Sequence, residues 1–323
     1  MRRRPGLALL VLLVLGGCSP RQAAEEGELR RALQIPSYRG ELSPQLTKTW
    51  KQRDLIFEQS RFRGRDHQWI EALGCYSELA RSRPLPALLC MPGSANRKEE
   101  LLQPLDLLPR WADQGFFVLS IDRAPDEKSL LEQKGLAGLW GHQVHSLMRT
   151  LDYLQTRPEV DGKRIGMLGL SLGGMEALWL GALDERVRVV VSAAGHLAWA
   201  EVFARDSWRF IFADLPLGRQ LLAQGATGER ACDAFCRLYP QLPELDASRS
   251  ASLLAPRPLL LMTGALDPYT TPAATRQVYA AAQGAYADSG RPEQLEIWVE
   301  PEVGHGFSLP MQERALAWFR RWL

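Results

Sequence analysis

Five apolar runs in this chain are short and unbroken. They read ALLCM (Ala87–Met91), FFVLSI (Phe116–Ile121), RIGMLG (Arg164–Gly169), RVVVSA (Arg188–Ala193) and PLLLMT (Pro258–Thr263). A strand with one face in water alternates apolar and polar residues, whereas a strand covered on both faces does not. Runs of this kind therefore belong in a parallel sheet sandwiched between helices. Leu55–Gln59, Trp69–Tyr76 and Leu295–Val299 add three further candidate strands. The clearest helix between strands is Leu139–Leu154, which sets Trp140, Val144, Leu147, Met148, Leu151 and Leu154 on one face. The stretch RPEVDGKR then turns the chain from that helix into the next strand. Together these patterns predict one α/β domain over residues 46–323, with a mostly parallel, doubly wound sheet of about eight strands.

One segment breaks the rhythm. Between residues 195 and 256 no strand pattern appears, and Trp199, Phe203, Trp208, Phe210 and Phe212 crowd into its first third. A loop of that length without secondary structure is uncommon in a compact domain, so the segment reads as a cap-like helical insertion after the sixth strand. Its Trp199, Phe203 and Trp208 are candidates for the lining of a substrate pocket. The chain is 46% hydrophobic and 24% charged, enough to build an ordinary core. Its net charge is only +2, and three arginines lie in the first four residues. That leaves no basic surface of the kind nucleic-acid partners require.

The N-terminus reads as an export signal. A basic start, Arg2 to Arg4, precedes an apolar run from Leu7 to Leu15 and small residues ending at Cys18. The run is shorter than the roughly 20 residues a membrane-spanning helix needs, and it fits the core of a secretory signal. Leu15-Gly16-Gly17-Cys18 resembles the lipobox of bacterial lipoproteins. The resemblance implies cleavage before Cys18, a lipid on that cysteine and a membrane-anchored envelope protein. Ser19 after it resembles the pattern sorted to the outer membrane where a host has two membranes. Residues 19–45, polar and proline-containing, read as a tether from the lipid to the domain. Four cysteines remain. Cys75 and Cys90 fall in strands as small hydrophobes, and Cys232 and Cys236, one helical turn apart, favour a local pair. No histidine is near any of them, so the sequence implies no metal site and no cofactor.

Candidate chemistry centres on GMLGLSLGGMEAL (Gly166–Leu178), which contains the pentapeptide Gly169-Leu170-Ser171-Leu172-Gly173. Such a match gains meaning from context: a strand must lead into it and a helix must leave it. RIGMLG is a good strand and MEALWLGAL a good helix start. A serine hydroxyl becomes a useful nucleophile when a histidine, itself held by a carboxylate, takes its proton. His305, in EVGHGF after the last strand, has the placement for that base. His67 precedes the serine, His142 and His145 lie in an amphipathic helix, and His196 opens the insertion. The acid belongs between Ser171 and His305, just past a strand, where LLLMTGALDPYTTP supplies Asp267. Asp184, Asp206, Asp214, Asp233, Asp246 and Asp288 fall in helices, polar stretches or the insertion, where solvated charge is ordinary. Two backbone amides should receive the developing oxyanion. One is that of Leu172. The other comes from LLCMPGSANRKEE, where Pro92 has no N–H and Gly93 or Ser94 can serve; Ser94 is the choice from the usual placement.

With these pieces in place, the chain from about Trp50 onward resembles bacterial α/β-hydrolases of the dienelactone hydrolase and acetyl xylan esterase kind. LLCMPGSANRKEE, WADQGFFVLSID, DGKRIGMLGLSLGG, LLLMTGALDPYTTP and EVGHGF carry the resemblance, in the family's order. It implies that Ser171, Asp267 and His305 form a catalytic triad that cleaves a small-molecule or saccharide ester without a cofactor. Departures lie beside the site. Dienelactone hydrolases use cysteine where this chain has Ser171, acetyl xylan esterases carry glutamine at Leu172, and the usual His-Gly pair is Pro92-Gly93. Two other readings stand beside it. One is a peptidase of the prolyl-oligopeptidase type, whose members normally add a β-propeller. The other is a lipid-anchored envelope protein without catalysis.

Overall fold

The computed structural model describes residues 20–323, apart from 38, 39, 95 and 125. Cys18 and the export signal lie outside the described residues. In chain order the elements are α1 (Pro20–Ala32), β1 (Gln45–Gln52), β2 (Leu55–Arg63), β3 (Trp69–Ser77), β4 (Leu85–Met91), α2 (Leu107–Ala112), β5 (Phe117–Ile121), α3 (Glu127–Gln155), β6 (Val160–Leu170), α4 (Leu172–Leu183) and β7 (Val187–Ala193). There follow α5 (Trp199–Ala204), α6 (Trp208–Ile211), α7 (Pro216–Ala223), α8 (Gly228–Leu238), α9 (Ala247–Leu253), β8 (Leu259–Gly264), α10 (Pro272–Asp288), β9 (Leu295–Glu300) and α11 (Leu309–Trp322).

Among the described residues the strands form one nine-stranded sheet in the order β1-β2-β3-β5-β4-β6-β7-β8-β9. From β5 to β9 all pairs are parallel, while β1, β2 and β3 add antiparallel edges. The unbroken apolar runs are explained by two cores, one on each face. On β4, Ala87, Leu89 and Met91 enter one core while Leu88 and Cys90 enter the other. On β8, Leu259 and Leu261 divide from Leu260 and Met262 in the same way. Helices α3, α4 and α10 cover the first face, and α2 and α11 the second. All six residues of the predicted stripe on Leu139–Leu154 are buried inside α3, which runs on from Glu127 across a kink at Gly135 (φ 69°).

Two expectations are corrected at the N-terminal edge. Over Pro20–Ala32 the expected tether is a helix packed on the domain, not a spacer. Leu29, Ala32 and Leu33 repeat at i, i+3, i+4 and are buried with Ile35. The side chains of Gln22 and Arg30 also reach the Leu253 and Leu183 carbonyls at 3.2 and 3.3 Å. The apolar stripe occupies only the last turn of a charged segment, which hides it in the sequence. The ninth strand, β1, is likewise invisible by hydrophobicity. QLTKTWKQ is an exposed edge strand carrying two lysines, and exposed charge on an edge discourages pairing with other chains. Between β7 and β8 the chain forms five helices, and the last, α9, packs on α4 and α10 as part of the layer over the sheet.

Candidate active site

β6 ends at Leu170 and α4 begins at Leu172, so Ser171 alone makes the turn. Its backbone is in the left-handed half of conformational space, at φ 53° and ψ −125°. A non-glycine residue held there costs of order 1–3 kcal/mol, which the surrounding packing must offset. The Ser171 amide donates to the Ala193 carbonyl at 2.8 Å, and its own carbonyl accepts from Gly174 N–H at 2.7 Å. The turn closes so tightly that a β-carbon on Gly169 would sit 1.8 Å from the Gly173 carbonyl oxygen. One on Gly195, in the loop after β7, would sit 1.8 Å from the Ser171 carbonyl oxygen. Glycine is thus required on the turn and on the neighbouring loop that supports it.

Asp267 stands three residues past β8 and His305 five residues past β9, at the same edge of the sheet as Ser171. The structure brings the three together. His305 Nε2 lies 2.8 Å from Ser171 Oγ, and His305 Nδ1 lies 2.8 Å from Asp267 Oδ2. Asp267 is 3% exposed and does not depend on His305 alone. Its Oδ1 accepts the amides of Tyr269 and Thr270 at 2.8 and 3.0 Å, which fixes the carboxylate and leaves Oδ2 for the imidazole. An Nδ1–H donated to Oδ2 places the Nε2 lone pair toward the serine hydroxyl. Such an arrangement can take a proton from Ser171 and return it to another atom.

The other histidines are elsewhere in the fold. His67 is exposed between β2 and β3, while His142 and His145 are buried on α3. His196 is fully buried, bridging Ser192 Oγ at 3.2 Å and Thr275 Oγ1 at 2.9 Å. Burial lowers its pKa to about 4, against the raising effect of Asp267, so it is neutral near pH 7.

On the β4 side of Ser171 the predicted oxyanion loop is packed against the serine. A β-carbon on Gly93 would lie 3.2 Å from Ser171 Cβ. Ser94 is the next residue, exposed in the turn, and Leu172 opens α4, where an amide has no carbonyl of its own helix to bond. Sequence reasoning did not find what holds this loop. Arg123, just past β5, donates from Nη2 to the Pro92 carbonyl at 2.9 Å and from Nε to the Gly93 carbonyl at 3.2 Å. The same guanidinium forks onto Glu176 of α4, Nη1 to Oε1 at 2.5 Å and Nη2 to Oε2 at 3.2 Å. Glu176 is fully buried, and burial pushes its carboxyl above the ordinary range while Arg123 pulls it back. One buried ion pair thus ties the Pro92–Gly93 loop to the helix that follows Ser171. Its signal in the sequence was a lone glutamate inside the apolar helix LGGMEALWLGAL.

Two further expectations are corrected. Trp199, Phe203 and Trp208 do not offer a pocket wall: they are 6%, 3% and 0% exposed and belong to the main core. Trp199 stacks on Trp140 at 6.3 Å, and Phe203 packs against both Phe212 and Phe235 at 6.3 and 6.0 Å. These rings weld the insertion to the domain. The insertion reaches the acid-bearing loop through Ser207, which left no signal in the sequence, and Phe210, which the sequence placed in the aromatic cluster without a role. Ser207 Oγ donates to the Pro268 carbonyl at 2.9 Å, and Phe210 meets Tyr269 edge-on at 5.7 Å. Tyr269 in turn lies 4.6 Å from the His305 ring. Cys232 and Cys236 are free thiols on successive turns of α8, not a disulfide, as are buried Cys75 and Cys90. Burial and the neighbouring thiol raise the Cys232 pKa to about 11.

Comparison with known proteins agrees with this geometry. YtaP of Bacillus subtilis, assigned as a hydrolase, is 26% identical over 260 residues, covering 74% of this chain and 79% of that one. YitV of the same organism, assigned as an esterase, is 23% identical over 261 residues, covering 79% and 96%. The crystal structure of acetyl xylan esterase 1 from Thermoanaerobacterium sp. JW/SL YS485 superposes with a TM-score of 0.64 at 18% identity, over 92% of this chain and 93% of that one. Likeness at that identity shows the α/β-hydrolase fold. The sequence profile of the prolyl oligopeptidase family matches residues 109–323, a span that begins before β5 and contains Ser171, Asp267 and His305. The chain is a serine hydrolase of the α/β-hydrolase fold and belongs to the prolyl oligopeptidase family.

Proposed function

We propose that this protein cleaves carboxylic esters through an acyl-enzyme on Ser171. The observation that carries the reading is the hydrogen-bonded series Asp267–His305–Ser171, standing on a strained turn beside a braced oxyanion loop. In the first half-reaction His305 Nε2 takes the hydroxyl proton as Oγ attacks the ester carbonyl. The carbonyl oxygen, now negative, receives the amides of Leu172 and Ser94, aided by the positive end of α4. His305 then hands the proton to the departing alcohol oxygen, leaving the acyl group on Ser171. In the second half-reaction water attacks that acyl group by the same proton route, releases the acid and restores the hydroxyl. Asp267 keeps the imidazole in the useful tautomer throughout.

Esters are favoured over amides by relatives of matching length: YitV is assigned as an esterase and the structural neighbour is an acetyl xylan esterase. A saccharide acetyl ester is the substrate class that fits those neighbours. Peptide cleavage is the alternative that the family's name keeps open. A fluorophosphonate probe should label the protein and fail to label Ser171→Ala; an unlabelled parent protein would rule out either hydrolytic reading. Faster turnover of p-nitrophenyl acetate than of acyl p-nitroanilides is expected, and the reverse order would favour a peptidase. We infer as well that Cys18 carries a lipid anchor. Metabolic labelling with a fatty acid should mark the protein and be lost in Cys18→Ala; equal labelling of both would refute the anchor.

A further inference from the structure

We propose that Phe210 and Tyr269 form a platform for the departing alcohol of the ester, and that this alcohol carries a ring with an apolar face. The proposal rests on the esterase reading above. Its starting point is an apolar exposure that the fold does not explain. Phe210 is 58% exposed, although Trp199, Phe203, Trp208 and Phe212 around it in sequence are all buried. A lone exposed phenylalanine is ordinary. This one is placed differently, because it contacts Tyr269 at 5.7 Å and Tyr269 contacts the His305 imidazole at 4.6 Å. Phe210, Tyr269 and His305 therefore make one continuous aromatic surface ending at the proton-transfer group.

The surface is held in place from both sides. Tyr269 donates its amide to Asp267 Oδ1 at 2.8 Å. The Phe210 amide donates to the Ser207 carbonyl at 3.0 Å, while Ser207 Oγ holds the Pro268 carbonyl at 2.9 Å. The insertion is thus fastened to the acid-bearing loop at the point where Phe210 emerges.

Which part of a substrate meets this surface follows from the direction of proton transfer. The ester carbonyl oxygen must face the Leu172 and Ser94 amides, on the β4 side of Ser171. The bond that breaks joins the carbonyl carbon to the alcohol oxygen. Its electron pair stays with that oxygen, which takes the proton His305 Nε2 received from Ser171. The alcohol must therefore sit over His305, on the side of β8 and β9 where Tyr269 and Phe210 stand. Two rings meeting edge-on at 73° present a corner suited to the flat face of an aryl group or the C–H face of a pyranose.

Phe210→Ala removes an exposed ring, and Phe210→Trp keeps one. With Phe210→Ala, kcat/KM for p-nitrophenyl acetate and for an acetylated methyl xyloside should fall about five- to tenfold, ethyl acetate should change less than about twofold, and Phe210→Trp should restore the ring esters. Loss on the aryl ester alone would identify the ring as aryl, and loss on the xyloside alone would identify a pyranose. The second, acyl-releasing phase after a burst should not change, because the alcohol has already left. A loss that tracks acyl length, butyrate against acetate, would overturn the proposal, as would equal loss on ethyl acetate or no loss at all. Binding separates this from failure of the esterase reading. In Ser171→Ala, saturation-transfer NMR should detect methyl β-xylopyranoside or 4-nitrophenol, and Phe210→Ala should abolish the signal. A signal indifferent to Phe210 would overturn the platform whatever the enzyme cleaves.

Discussion

Arg123 offers a way to separate what holds the protein together from what shapes its site. Its guanidinium has four hydrogen bonds, two to the carbonyls of Pro92 and Gly93 and two to the buried carboxylate of Glu176. Arg123→Met fills similar space but leaves Glu176 buried and uncompensated. Breaking a buried pair from one side costs about 3–5 kcal/mol, whereas replacing both partners by apolar groups is often neutral. At roughly 2–4 °C of Tm per kcal/mol, the single variant should melt about 6–20 °C lower. The double variant Arg123→Met/Glu176→Leu should recover most of that loss. Activity should not follow. The Pro92 and Gly93 carbonyls lose their donor in both variants, and the Gly93 backbone packs on Ser171. Removing an oxyanion-hole donor outright costs about 10²–10³ in kcat, so a misplaced one should cost about 10–100-fold in both variants. Thermal melts and p-nitrophenyl acetate kinetics on the four proteins of the cycle decide the matter. A double variant that regains both Tm and kcat/KM would refute a positioning role, and a single variant with unchanged Tm would refute the buried pair.

Asp267→Asn should lower kcat by about 10⁴ with little change in KM, because asparagine favours the wrong imidazole tautomer. Its Tm should stay near that of the parent, since the amides of Tyr269 and Thr270 keep an acceptor; a large drop in Tm would reassign Asp267 to stability. His196 has a folded pKa of about 4, below its unfolded value, so the unfolded chain binds the proton more tightly. Its contribution to stability is therefore present above the unfolded pKa and is lost as pH falls toward about 4. The Tm of the parent should fall more steeply than that of His196→Asn between about pH 7 and pH 4, and parallel curves would contradict this. Trp208→Ala should destabilise by about 3–5 kcal/mol without changing the ratio of kcat/KM among ring and ethyl esters. A changed ratio at unchanged Tm would return Trp208 to the substrate pocket.

What the sequence made legible follows from how locally each feature is determined. Parallel strands covered on both faces must be continuously apolar, so Ala87–Met91 and Pro258–Thr263 announced themselves. The edge strand QLTKTWKQ has no buried face and left no such trace. α1 shows its apolar stripe only at Leu29, Ala32 and Leu33, amid charge. Ser171, Asp267 and His305 were readable because each stands just past an apolar run, where a sheet of this kind gathers its loops. The Arg123–Glu176 pair spans 53 positions, and no local rule joins them. The insertion misled for a related reason. Clustered aromatics mark either a core or a pocket, and the packing of α5 to α8 buries Trp199, Phe203 and Trp208 while leaving Phe210 outside.

The most direct test of the acyl-enzyme is to trap it. Rapid mixing with p-nitrophenyl acetate, acid quenching and peptide mass spectrometry should find one acetyl group on the peptide containing Ser171. The adduct should accumulate within the first turnover and be absent in Ser171→Ala. Release of p-nitrophenol in the first turnover with no acetyl on Ser171, or with the acetyl on another residue, would contradict the proposed chemistry.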